Sequence, residues 1–114
     1  MISAINLPPG SPDFTYGSLI PVDAGETQIC DAIPLLKSSL LIGRRESCDI
    51  VLRFPNVSAL HCQMSWIDGQ WQIEDVGSRN GTRVNGVRVE GAIRLCDGDK
   101  LSIAKHLYVF RYPA

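Results

Sequence analysis

No run in this sequence approaches the eighteen or so apolar residues that span a membrane, and its first stretch, MISAINLPPGSPDF, carries neither the basic n-region nor the apolar core of a secretory signal. The expectation is a soluble, cytoplasmic protein with no membrane partner. Charge of one sign is missing as well. Lys and Arg number 11 against 12 Asp and Glu, a formal net charge of -1, which argues against a duplex-wide basic face and so against nucleic acid as a partner. The four cysteines, Cys30, Cys48, Cys62 and Cys96, form no CxxC pair and have no histidine at ligand spacing. They read as reduced thiols serving as small core hydrophobes, with no metal and no cofactor. No window holds an i, i+3, i+4, i+7 apolar stripe long enough for a helix, and there is no internal repeat, low-complexity run or charged block.

What is there is a chain of short strands. Residues 1–13 hold Pro8, Pro9, Gly10 and Pro12 and read as a flexible leader. From Phe14 onward, eleven segments rich in Val, Ile, Leu and aromatics follow one another: FTYGSLIPV, TQICDAIPLL, SLLIG, IVLRF, HCQMSWI, QWQIEDV, TRVN, VRV, AIRL, KLSIA and LYVFRY. Cys62–Trp66 and Trp71–Glu74 alternate apolar with polar residues, the period of a half-buried strand. Asp68-Gly69, Asn85-Gly86 and Asp97-Gly98 supply hairpin turns between such strands. Pro21 and Pro34 each lack a ladder donor, which places the early strands at edges or bulges. The pattern is all-β, an antiparallel β-sandwich or barrel. The length suits one domain, residues 14–114, burying about two thirds of its unfolded surface.

Function then belongs to the loops, where three polar punctuations interrupt the apolar runs. Gly43-Arg44 ends a strand. The glycine allows a sharp turn, and the arginine offers a charged planar fork to a phosphate or carboxylate; alone, the pair also reads as a solvated strand end. Ser58-Ala59-Leu60-His61 follows the turn-prone Pro55-Asn56. Its hydroxyl and backbone N–H groups form a small anion nest, with His61 able to hold the loop through its ring nitrogens; alone, it is a surface loop before a strand. Ser78-Arg79-Asn80-Gly81-Thr82 is a turn, read as a hairpin, whose Asn80 amide can both donate to and accept from an extended backbone. Ser58, His61 and Asp75 also contain the residue types of a hydrolase triad. With no G-x-S-x-G elbow and no separate oxyanion loop, the expectation is no enzyme and no catalytic residue.

In order and approximate spacing, Gly43-Arg44, Asp49-Ile50-Val51-Leu52, Ser58-x-x-His61, Asn80-Gly81-Thr82-x-Val84-Asn85-Gly86 and the Leu95-Cys96-Asp97-Gly98-Asp99 turn resemble the forkhead-associated (FHA) domain. The likeness covers about residues 35 to 112, with its motif core at 40–103. It implies a β-sandwich of about eleven strands with ligand loops at one apex, and recognition of phosphothreonine peptides in kinase-linked signalling. The implied partner is a Thr-phosphorylated protein, a Ser/Thr kinase or its substrate among the possibilities. By position, Arg44, Ser58 and Arg79 would meet the phosphate and Asn80 the peptide backbone. His61, Gly43, Gly81 and Asn85 would support the loops, and Asn56, Lys105 and His106 would read the third residue after the phosphothreonine. Two residues depart from the pattern: Ala59 replaces a common basic or amide contact, and Ala104 a common glycine. A phosphate-independent interaction or scaffold module is the alternative. Thr15 and Thr27 are further candidates, as sites whose phosphorylation would occupy the pocket. Strand parity alone leaves one gap: in a plain meander the Ser58 and Asn80 loops share one end, and Arg44 starts from the other.

Overall fold

Alternating side chains and frequent turns resolve into eleven strands. The computed structural model describes residues 16–112; the leader 1–13, Phe14 and Thr15 lie outside them. The strands are β1 (Ser18–Val22), β2 (Ile33–Pro34), β3 (Ser39–Gly43), β4 (Ile50–Val51), β5 (Cys62–Ile67), β6 (Gln70–Asp75), β7 (Thr82–Val84), β8 (Val87–Arg88), β9 (Ala92–Leu95), β10 (Lys100–Ile103) and β11 (His106–Arg111). They form a six-stranded sheet, β2-β1-β11-β10-β7-β8, and a five-stranded sheet, β4-β3-β5-β6-β9. Each of the eleven apolar segments contributes one strand, although TQICDAIPLL yields only the two residues of β2.

The core lies between the sheets. Cys62 and Met64 on β5, and Trp71 and Ile73 on β6, face inward, while Gln63, Gln72 and Glu74 are more exposed. They meet Leu101, Ile103 and Phe110 of the opposite sheet, all fully buried. At the base, Tyr16, Trp66, Trp71 and Tyr112 pack edge to face, and the Trp71 indole N–H donates to the Tyr16 carbonyl.

Several expectations need correcting. Asp68-Gly69 and Asn85-Gly86 are hairpin turns with positive φ at both central residues, but Asp97-Gly98 and Ser78–Thr82 are not. Each carries the chain from the five-stranded sheet to the six-stranded one, so the turn chemistry was right and the partner strand was not. Pro34 does lie on an edge strand, whereas β1, which holds Pro21, lies between β2 and β11. No ladder bond with β11 is lost there, because the Pro21 backbone faces the other way and its carbonyl accepts from Ile29 N–H. Nor are all four cysteines core residues: Cys48 and Cys62 are buried, but Cys30 and Cys96 are exposed.

The antiparallel expectation has one exception that matters to the site. Strand β4 pairs with β3 in parallel, Ile42 against Ile50 and Gly43 against Val51. After β3 the chain folds back, with Asp49 bonding Leu41 through backbone and carboxylate, and then runs up again beside its own earlier strand. The ends of β3 and β4 therefore share one apex, together with the β6–β7 and β10–β11 connections. This closes the gap that a plain meander leaves.

Candidate functional site

The apex is assembled from backbone pairing that continues beyond β3. Arg44 N–H donates to Ser58 O at 3.0 Å and Arg45 N–H to Ala59 O at 3.2 Å, which sets the two loops side by side. Gly43 is required by this closeness and not by a turn, since its φ is not positive. A Cβ at that position would collide with the Ala59 carbonyl oxygen. The Arg44 side chain is anchored through Nε to Val57 O at 3.0 Å, and its terminal nitrogens have no protein partner among the described residues.

Ser58 is held at every backbone group. Its N–H donates to His61 Nδ1 at 3.1 Å, and its hydroxyl accepts from Arg79 N–H at 2.9 Å. Because Nδ1 accepts, His61 carries its hydrogen on Nε2 and donates to Gly81 O at 2.9 Å. His61 is fully buried, so one ring ties the Ser58 loop to the Asn80 loop. Gly81 O also accepts from Ala104 N–H, and Gly81 itself takes a φ of 86° that favours glycine. Asn80 Nδ2 donates to Asn56 O at 2.7 Å, leaving its carbonyl oxygen and second amide hydrogen available.

Arg44, Asn56, Ser58, Arg79 and Asn80, with Pro55 and Val57, line a shallow cup of about 90 Å3. Neither arginine forms an ion pair with a described carboxylate, and no carboxylate lines the cup. The arrangement brings two arginines, a serine and an asparagine to the lining of one small volume, which suits an oxyanion with several acceptor atoms.

Other sequence candidates fall outside the cup. His106 Nε2 lies 2.8 Å from Asn56 Oδ1, and its ring stacks on Phe54 at 3.8 Å; burial holds the imidazole below its ordinary pKa. Asn56 and His106 therefore fix each other, and Lys105 is exposed beside them without an ion-pair partner among the described residues. Asn85 bonds Asp99 and Lys100, far from the cup, and ties the β7–β8 turn to the β9–β10 connection. Ser58, His61 and Asp75 do not form a relay, because the imidazole bonds the serine's backbone and not its hydroxyl, and Asp75 bonds Ser78 and Thr82 instead.

Asp75 is the residue whose part sequence reasoning missed. Its Oδ1 accepts from Gly77 and Ser78 N–H, and its Oδ2 from the Ser78 and Thr82 hydroxyls. Burial pushes its pKa up, but the hydrogen bonds from Ser78, Thr82 and Gly77 prevail and hold it below the usual carboxylate range. An aspartate followed two and three residues on by Gly-Ser is an Asx-turn signal that would have revealed the role. Burial pushes the nearby Cys62 thiol up to about 12 and raises Cys48 too, which keeps both thiols protonated.

The fold and site define a class, a two-sheet β-sandwich with a cationic cup at one apex. The FHA domain sequence model matches residues 40–104, and the chain belongs to the forkhead-associated family. Among its relatives, Mycobacterium tuberculosis transcriptional regulatory protein EmbR is 36% identical over 81 residues, which cover 71% of this chain and 21% of EmbR. Mouse proliferation marker protein Ki-67 is 38% identical over 79 residues, 69% of this chain and 2% of Ki-67. The chain thus spans only a small part of either relative. A solved structure of M. tuberculosis EmbR in complex with a low affinity phosphopeptide superposes with a TM-score of 0.78 at 31% identity, covering 91% of this chain and 26% of that one. A second, from work on phosphothreonine-dependent FHA domain interactions, gives 0.72 at 26% identity, covering 85% and 96%. Among the described residues no helix is long and apolar enough to cross a membrane.

Proposed function

We propose that this domain recognises phosphothreonine in partner proteins, as a binding module of kinase-linked signalling in the cytoplasm, without a catalytic step. The observation that carries the reading is the convergence of unpaired Arg44 and Arg79 with Ser58 and Asn80 on a cup that no carboxylate lines. A phosphorylated threonine presents roughly -1.5 to -2 charges and three acceptor oxygens at neutral pH. Arg44, steadied through Nε, pairs the phosphate with its outer nitrogens. The Ser58 hydroxyl and neighbouring loop amides bond the remaining oxygens, and Arg79 adds a second cation. Asn80 uses its free carbonyl oxygen and amide hydrogen to hold the peptide backbone, while Gly43, His61 and Gly81 keep the loops in place and Asn85 braces the β7–β8 turn away from the cup.

Threonine has two advantages over serine here. Its branched side chain loses less rotamer freedom on binding, and each buried methyl contributes roughly 0.8 kcal/mol. Asn56, Lys105 and His106 stand where the third residue after the phosphothreonine would be read. Asn56 and His106 are already bonded to each other, which leaves Lys105 as the freer side chain. The EmbR structure in complex with a phosphopeptide, and the neighbour from work on phosphothreonine-dependent FHA domain interactions, support this reading.

Titration calorimetry with paired peptides tests it. The phosphothreonine peptide is expected to bind with micromolar affinity and the plain peptide not at all, and Arg44→Ala to lose binding without lowering the unfolding temperature by more than a degree or two. Equal affinity for both peptides would overturn the proposal in favour of phosphate-independent docking.

A further inference from the structure

Strands β7 and β8 set two arginines directly across from one another, Arg83 against Arg88. Because Val89 N–H donates to Thr82 O on the next rung, the arginines occupy an unbonded rung, where antiparallel side chains stand closest. Arg83 alternates with buried Thr82 and Val84, so both side chains stand on the outer face of the six-stranded sheet. Like charges placed opposite each other destabilise a ladder. Neither guanidinium has a hydrogen-bond or ion-pair partner among the described residues to relieve that repulsion, and Glu90, two residues beyond Arg88, forms no ion pair with either.

One of the two heads is held beside the apex. A Cβ added at Gly81 would lie 3.3 Å from Arg88 Cζ, 3.4 Å from Nη1 and 3.5 Å from Nη2. Three nearly equal distances mean that the guanidinium lies flat over Gly81, which leaves its N–H donors, all in the plane of the group, directed sideways and not into the glycine. Gly81 follows Asn80, and Asn80 and Arg79 line the cup. The turn that presents those two residues to the phosphate therefore carries Arg88 on its sheet side.

We propose that the Arg83–Arg88 pair takes the carboxylate of a glutamate or aspartate in the same partner whose phosphate occupies the cup. The inference rests on the phosphothreonine reading above. Its ground is charge left unneutralised on one rung, next to a site that already binds an anion. A planar carboxylate accepts parallel N–H bonds from the edge of a guanidinium fork, and its arrival removes the repulsion that the free chain carries across β7 and β8. An acidic residue therefore adds to affinity at one distance from the phosphothreonine and not at others.

Titration calorimetry on the full chain tests this. A short phosphothreonine peptide is compared with phosphothreonine peptides of alanine and serine background in which one flanking position at a time carries glutamate, glutamine, lysine or phosphoserine. They are titrated against the native chain, Arg83→Gln, Arg88→Gln, and the double reversal Arg83→Glu with Arg88→Glu. The expected result is one position at which glutamate binds the native chain about three- to fivefold more tightly than glutamine, the worth of one or two exposed ion pairs. Arg83→Gln and Arg88→Gln lose that gain and keep the native affinity for the short phosphopeptide. In the double reversal, lysine at the same position binds more tightly than glutamine. The proposal is overturned if no position gives a gain, if the gain survives both glutamine variants, or if the double reversal shows no preference for lysine. A gain from phosphoserine but none from glutamate would assign the pair to a second phosphate, and a change of oligomeric state in Arg88→Gln would assign it to a second copy; either overturns it too. Failure of the short phosphopeptide to bind the native chain removes the phosphate reading itself, and this proposal with it.

Discussion

Asp75 shows how much one side chain contributes to the shape of a loop, since it holds Gly77, Ser78 and Thr82 at once. Thr82 is fully buried, and its hydroxyl donates to Asp75 Oδ2 at 2.8 Å. Asp75→Ala strands that hydroxyl and frees the turn that presents Arg79 and Asn80. Losing the acceptor of a buried donor costs about 1–3 kcal/mol, so urea denaturation is expected to show a loss in that range, with weaker phosphopeptide binding alongside; unchanged stability would contradict the assigned role. The pH dependence has a definite sign. Because the folded pKa of Asp75 lies below the ordinary value, its stabilisation is complete above about pH 4, where the unfolded carboxyl titrates, and is lost as pH falls through the lower folded value. Asp49, lowered by its hydrogen bonds from Lys37 and the Leu41 backbone, adds to the same acid limb. Asp75→Asn is therefore expected to flatten the fall in stability below pH 4, as followed by acid titration of the unfolding midpoint.

At the scale of elements, the strands were legible in the sequence and their partners less so. Cys62–Trp66 and Trp71–Glu74 declare themselves because one face is buried and the period of two is strict. The sheet to which β7 or β10 belongs leaves no such trace, since Asn80-Gly81 and Asp97-Gly98 have the same turn chemistry whether the chain returns to its own sheet or crosses to the other. The parallel β3–β4 pair is harder still to read, because two residues of β4 carry no pattern; the family likeness, not periodicity, brought Arg44 to the apex. The candidate site residues stand in the sequence as a motif, while the Asn56–His106–Phe54 bridge joins residues 50 apart that no local pattern links. Gly43 is where strand packing and site meet. Gly43→Ala drives a methyl into the Ala59 carbonyl, and overpacking of this kind costs about 1–3 kcal/mol. Thermal unfolding is expected to show that loss, together with weakened phosphopeptide binding as the Ser58 loop is pushed from Arg44. A variant as stable and as tightly binding as the native chain would show that the two loops are not held by this contact.

For the whole molecule, an almost neutral chain makes recognition a matter of local charge at one pole, with the aromatic cluster at the other. Affinity should then follow the charge of the ligand. As pH falls through about 6 the phosphate gains a proton, and calorimetry is expected to show binding weakening across that range while the domain remains folded. The most direct measurement is an amide chemical-shift titration with a phosphothreonine peptide and its unphosphorylated twin. The phosphopeptide is expected to shift residues 44, 58, 79 and 80 and to leave Trp66, Trp71 and Tyr112 unmoved, with no response to the twin. Shifts centred on the strand faces or the aromatic base, or the same shifts from both peptides, would contradict phosphate capture at the apex.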